Sequence, residues 1–589
     1  MNRPNDEAKR WLISLLLAAP AFIPLVAHYI GFSRIGLWPT GFIQNDMPYY
    51  MANARELSDS GGFHLAYGNP FSFRYETPRI YFQPLTVLFG LLERATGADP
   101  GILFAAVGVI GATVCVRLAM SLFDRFAPHD QPGRSFALVA FIWGGGLLMV
   151  GGLIFSLLHG VHAQAMLFYD PAQGWWFMNL GRNLVFSTEA VYHAIFFGAI
   201  LLVLGMRYKG ALAALALMSV SHPFTGIQLL LIVIAWSLVE LLLIRSKAVP
   251  LWFAVACIGL AIAHAAYYLM YLNSFAEHRI LQEQWTLPLV LPLESFVLAS
   301  IPVLAFVVWR MRSRERARAI FSLPQNRLLV VWFGVTLILI NHDLVMRPVQ
   351  PVHFTRGYQW IPLFLLAAPA MMAMFARLGA LRRRGIAMLA TVAALGIIVS
   401  DNAIWLGIRG AQALGLASNH FSQAFEFGST FTPRARSALG FGLTREELEV
   451  LRVMNDSANR GFVVVSADPI LGYLATVYTP LRSWRSHHAN TPQSERRDEE
   501  LHRFFNGERA VAEWDRLPVL FVFLQKQPWR ERMSLLRGNE PAVVLQNPAY
   551  VVIRRPPLEE ARNNRASSVL LQASIRIAFD PSGRGRLTP

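Results

Sequence analysis

Residues 211–244 read ALAALALMSVSHPFTGIQLLLIVIAWSLVELLLI. The hydrocarbon of a bilayer takes about 20 apolar residues as one helix. This run is too long for one crossing and a little short for two. Its middle, Ser221-His222-Pro223-Phe224-Thr225-Gly226, carries a proline, which removes a backbone donor and interrupts a helix. A hairpin of two short membrane helices fits the pattern. Interrupted backbone at that depth is tolerated only against protein or a water-filled cavity, so the break is also a candidate site.

Similar apolar runs lie at 11–30, 100–122, 135–158, 186–206, 249–273, 289–309, 328–341, 358–376 and 386–408. By the length rule the total is about 11 crossings. The first run has no small-residue cleavage site and reads as an uncleaved anchor. Composition agrees: of 589 residues 54% are apolar and 15% charged, against about a quarter charged in a soluble domain. A wholly soluble, disordered or fibrous chain is excluded. The two cysteines, Cys115 and Cys257, fall inside apolar runs without CxxC spacing and read as small buried hydrophobes.

Positive residues favour cytoplasmic loops. With the N-terminus inside, the cytoplasmic segments hold the dense clusters, such as Arg310, Arg312, Arg314, Arg316 and Arg318, then Arg377, Arg382, Arg383 and Arg384. The longer outward loops hold only Arg34, Arg55, Arg74, Arg79, Arg94, Arg182, Arg279, Arg347 and Arg356. The net charge of +16 is therefore mostly topology, with no basic stripe for nucleic acid. An odd number of spans puts the C-terminal region outside. From about 410 onward short β-branched runs (462–465, 519–523, 550–553) alternate with helical stretches (445–455, 499–505), the pattern of a small α/β domain. The organisation expected is a membrane module over 1–408 and an extracytoplasmic domain over 409–589.

The outward loop 31–80 is long for a connection, which points to function. Asp46 sits just past the first helix, ahead of Pro48, Tyr49 and Tyr50. A carboxylate there suits a general base or a divalent-metal ligand, and equally the N-cap of a short helix. Arg74 and Arg79 break the charge rule, suggesting anion or headgroup contact; Gln83 follows before Pro84. In the next outward loop Trp175 and Trp176 read as interface anchors or as faces for stacking sugars. Asp170 and Glu189 are candidate further carboxylates for a metal, Glu189 because a charge at the head of a span turns towards a cavity. The late loop offers Arg347, His353 and Arg356, and an arginine at a helix mouth presents a fork matched to phosphate or snorkels to headgroups. His222 either hydrogen-bonds a ligand or satisfies a buried turn.

An inward-starting first helix, an acidic residue near the start of the outward loop, and the Arg79-Ile-Tyr81-Phe82-Gln83-Pro84-Leu85 entry to a helix ending at Glu93-Arg94-Ala-Thr-Gly97 form a joint pattern. With the broken helix at His222-Pro223 and the outward C-terminal domain, the chain resembles the GT-C superfamily of membrane glycosyltransferases. It departs from two branch motifs: Trp175-Trp176 is followed by Phe177 rather than Asp, and Asn45 rather than an acidic residue adjoins Asp46. The resemblance implies a mainly α, polytopic GT-C-like fold with a small α/β extracytoplasmic domain. It implies an inverting transfer of a sugar from a polyprenyl-phosphate carrier to a lipid, glycan or protein acceptor, in a bacterial inner membrane. Asp46 would be the base or a ligand to Mg or Mn, with Asp170 and Glu189 as further ligands. Arg356, with His353, Arg347, Arg74 or Arg79, would hold the donor phosphate. His222, Tyr49, Tyr50, Gln83, Trp175 and Trp176 would line the substrate cavity. A transporter or flippase of lipid-linked sugars is the competing class, but inverted repeats and paired helix breaks are its marks, and one break without a repeat is seen. A non-catalytic assembly protein is the third, for which the polar outward loops would be surplus.

Overall fold

Prolines and caps set the ends of the long helices. Pro100–Phe126 starts where the Asp99 carboxylate accepts from the Gly101 and Ile102 amides at 2.8 and 3.2 Å, with proline in the first turn. Pro223–Leu238 starts where the His222 ring accepts from the Thr225 amide at 3.1 Å. The computed structural model describes residues 4–58, 63–127, 130–160, 166–176, 178–246, 248–285, 289–416, 440–536 and 541–557. Among them eight helices are long and apolar enough to cross a membrane, or up to ten if each of two bent pairs is one span. The chain is a polytopic membrane protein with a small α/β domain.

It divides into two compact units. Among the described residues the first comprises those of 4–67, 80–416 and 440–442. The hairpin expected at 211–244 is present as Tyr208–Ser221 and Pro223–Leu243, but the first arm has only 14 residues. That arm entered the expected total of about 11 and is shorter than a full crossing. The run expected at 135–158 is two helices, Arg134–Trp143 and Leu148–His159, bent by 66°. Three glycines, Gly144 to Gly146, make the bend, and a Cβ on Gly146 would lie 2.2 Å from the Leu298 carbonyl oxygen. The neighbouring span Arg384–Ala413 supplies the cap: the buried Asp401 carboxylate accepts from the Met149 amide at 2.9 Å and the Leu148 amide at 3.3 Å. The run at 328–341 extends to Pro324–Ile340 and meets Arg314–Ser322 at 98°. Arg327 joins Pro324–Ile340 to the Glu240 carboxylate by two bonds of 2.6 and 2.7 Å, a bidentate buried pair.

Among the described residues the second unit comprises Gly68–Arg79 and those of 443–557. Its five-stranded sheet runs in the order Arg482–Ser483, Val463–Ser466, Val519–Leu524, Tyr550–Arg555, Ala542–Gln546. The first three strands are parallel and the last two join antiparallel. Helices Pro469–Tyr478 and Ser494–Asn506 make the crossovers that parallel strands need. A core of Trp484, Phe504, Trp514, Phe521 and Phe523 packs beneath them.

This unit is not one stretch of chain. The Tyr67 and Tyr81 backbones pair at 2.9 and 3.1 Å, and the segment between them belongs to the α/β unit. Phe73 lies 4.7 Å from Trp484 between ring centroids, and Arg497 stacks its guanidinium over both rings. The Tyr75 hydroxyl donates to the Phe462 carbonyl at 2.6 Å and accepts from the Arg482 amide at 3.1 Å. Asn69 donates to the Asn490 carbonyl at 3.0 Å.

Candidate functional site

Three pieces of the first unit build the site: the start of Asp46–Glu56, the start of Ser187–Leu204, and the loop ahead of Trp360–Gly379. Asp46 opens its helix, where a carboxylate is favoured by the dipole. It does not cap it. The cap position is Asn45, and the exposed Asp46 carboxylate accepts from the Gln44 amide at 3.3 Å. Its charge acts on Tyr49, Tyr50, His353 and Arg356, so these groups share one electrostatic neighbourhood. Burial pushes the Tyr49 and Tyr50 hydroxyls up to about 12, and both are neutral donors at neutral pH.

Arg356 is nine-tenths buried. Its guanidinium forms an ion pair with Glu189 and donates through Nη2 to Nδ1 of His353 at 2.8 Å. Among the described residues its Nε has no hydrogen-bond partner. Burial lowers the Arg356 pKa, while the charges of Tyr50, Tyr358 and Asp46 act to raise it. Burial also lowers His353 to about 4, with the Asp46 charge opposing. A neutral His353 is what an acceptor Nδ1 requires. The His353 ring stacks on Phe224 at 4.5 Å and meets the edge of Trp176 at 4.6 Å. His222, at the helix break, packs on Tyr192 at 4.9 Å and lies 6.1 Å from the Phe224 ring.

The structure therefore gathers Asp46, Tyr49, Tyr50, Trp176, Glu189, His222, His353 and Arg356 around one locus. The other candidates have different neighbours. Trp175 packs instead on Trp405 and beneath Arg409. Asp170 forms a fully buried ion pair with Arg182. Gln83 accepts from its neighbour Thr86 at 3.1 Å. Arg347 is exposed, and Arg74 and Arg79 belong to the α/β unit.

Among the described residues no three His, Cys, Asp or Glu side chains are placed so that they could hold a metal ion, so Asp46, Asp170 and Glu189 do not form a metal-binding set. Asp170 and Glu189 each pair one carboxylate oxygen with an arginine, while Asp170 Oδ1 and Glu189 Oε2 have no hydrogen-bond partner among the described residues.

Several residues not singled out by their sequence hold the site in shape. The Arg356 carbonyl accepts from Asn183 at 3.1 Å, and a His193 ring nitrogen lies 2.9 Å from it. The other His193 nitrogen is 2.8 Å from the Glu189 carbonyl, one helical turn back. Arg182, next to Asn183, donates to the Asp401 carbonyl at 3.0 Å and to Asn402 at 3.1 Å. The signal available was the spacing of Glu189 and His193, four residues apart and hence on one helix face within an apolar run.

No protein-family model matches the chain, and no curated protein matches it. Among solved structures it is similar to the Archaeoglobus fulgidus oligosaccharyltransferase tethered to an acceptor peptide. That likeness has 12% identity, covers 89% of this chain and 69% of that one, and has a TM-score of 0.46. It is likewise similar to the archaeal oligosaccharyltransferase AglB from Archaeoglobus fulgidus, in complex with an inhibitory peptide and a dolichol-phosphate. There the identity is 11%, the coverage 90% and 71%, and the TM-score 0.46. At this distance no residue's role passes from those proteins to this chain.

Proposed function

We propose that this chain is a membrane glycosyltransferase that moves a sugar from a polyprenyl-phosphate carrier to an acceptor on the outward face of a bacterial inner membrane. The observation that carries the reading is that an exposed carboxylate, Asp46, and a buried guanidinium, Arg356, ion-paired to Glu189 and bonded to His353, share one electrostatic neighbourhood. Transfer from a lipid phosphate needs a base for the acceptor hydroxyl and a cation for the departing phosphate. In the reading, Asp46 accepts the acceptor's proton as its oxygen attacks the anomeric carbon. The bond to the phosphate oxygen breaks, and Arg356 holds the released anion through its fork. Neutral Tyr49 and Tyr50 hydroxyls donate to sugar or phosphate oxygens, and Trp176 supplies an aromatic face. Attack opposite the departing phosphate inverts the sugar carbon. The carboxylates make no metal set among the described residues, and no step is routed through a metal ion. The arginine distribution favours a cytoplasmic N-terminus, and an odd number of crossings puts the α/β unit outside.

The test is sugar transfer by purified protein from a labelled polyprenyl-phosphate sugar to candidate acceptors. Asp46→Asn and Arg356→Lys are expected to abolish or severely reduce it. Full transfer by Asp46→Asn removes the reading. Vesicle uptake of the lipid-linked sugar without transfer would favour a transporter instead.

A further inference from the structure

Several arginines of the first unit pair with a carboxylate, as Arg117 does with Glu7 and Arg327 with Glu240. A cluster around and just beyond Trp309 does not. Arg312, Arg314, Arg316, Arg318 and Arg377 are all exposed, and among the described residues none makes an ion pair. Glu315 is the only acidic residue in the helix that carries three of them.

Their setting is specific. Ser313 caps Arg314–Ser322 by accepting from the Arg316 amide, and Leu323 is extended ahead of Pro324, so the chain turns 98° into Pro324–Ile340. If the longer, apolar member of the pair crosses the bilayer, the nine-residue member lies along its surface. Ile320 is buried beneath it, while Phe321 and Leu323 are 42% and 46% exposed. At the foot of the preceding span Trp309 holds two cations at one indole, Arg312 at 5.4 Å and Arg377 at 5.7 Å. Val308 beside it is 66% exposed.

We propose that this surface-lying helix, together with Trp309 and Arg377, is a binding site for anionic phospholipid headgroups. Guanidinium forks match phosphate oxygens, and two cations kept at one indole without a carboxylate call for an anion between or beside them. The occupant is a lipid rather than free phosphate, because the arginines are interleaved with exposed apolar side chains that suit acyl chains. The inference does not depend on the sugar-transfer reading.

The experiment is native mass spectrometry of the purified full chain in neutral detergent, with equimolar phosphatidylglycerol and phosphatidylcholine of identical acyl chains. The expected result is several-fold greater retention of phosphatidylglycerol. It should fall to near parity in the fourfold variant Arg312→Gln, Arg314→Gln, Arg316→Gln, Arg318→Gln, and fall in part in Arg377→Gln alone. A fourfold Arg→Lys variant should keep a reduced preference, and Arg377→Gln gives a reading if the fourfold variant does not fold. Equal retention of both lipids by the parent overturns the proposal, as does an unchanged preference in Arg377→Gln and the fourfold variant. Thermal stabilisation by inorganic phosphate as large as that by phosphatidylglycerol overturns the lipid assignment.

Discussion

Arg356 has φ of +33°, a backbone state that non-glycine residues rarely adopt. Such strain persists only where the surroundings over-determine it. Here Asn183 and His193 both bind its carbonyl, while Glu189 and His353 engage its side chain. Removing the guanidinium leaves Glu189 buried without a counter-charge. Arg356→Ala is therefore expected to destabilise by roughly 3–5 kcal/mol, and the double change with Glu189→Gln by clearly less, read from thermal unfolding. Asp46 is exposed, and its carboxylate accepts from the amide of its near neighbour Gln44. Asp46→Asn should leave unfolding unchanged while cutting transfer about a hundredfold or more. For His353 the folded pKa is about 4 against an ordinary 6.5. Between those values the unfolded chain binds the proton and the folded chain does not, so stability should fall as pH drops through that window. A melting series from pH 7 to 4 should be flatter in His353→Gln than in the parent.

Helix breaks explain both what could be read from the chain and what could not. The interruption at His222-Pro223 is visible in sequence because proline has an unconditional backbone effect. The bend at Gly144–Gly146 is not, because glycine does not lower the apolar average of a run and its use depends on what approaches it. That partner is the Leu298–Ala299 backbone, far along the chain. Gly146→Ala should cost roughly 1–3 kcal/mol by overpacking, measurable as a lowered melting temperature. Asp401 was hidden for a similar reason, as one carboxylate inside a long apolar helix whose role is to cap another helix. Asp46 stood out by its place just past the first helix and Arg356 as a positive charge on the outward side, whereas Glu189 and Asp170 were legible as unusual carboxylates but not as partners of arginines. Pairing across 167 or 12 positions leaves no periodic trace, and a metal set and two ion pairs look alike in sequence.

The α/β unit includes twelve residues, Gly68–Arg79, from the loop after the first span. Burying Phe71 and part of Phe73 is worth about 1.5–3 kcal/mol for each fully buried ring, a large share of a domain's typical stability of about 5–15 kcal/mol. A fragment covering 440–557 alone should show weak amide protection in Val463–Ser466. The same fragment fused to 68–79 through a flexible linker should recover it, as hydrogen exchange would report. Equal protection in both would mean the segment is a passenger on a self-sufficient domain. The alternation of strands and helices was readable, but this contribution from several hundred residues upstream was not, since its partners Trp484 and Arg497 carry no mark of it. The same feature sets a timetable. The segment leaves the ribosome early and must wait, outside its fold, until the last strands are made. A recombination event that exchanged only the C-terminal third between two such proteins would therefore carry away a domain lacking one of its own parts, so the two pieces must evolve as a pair.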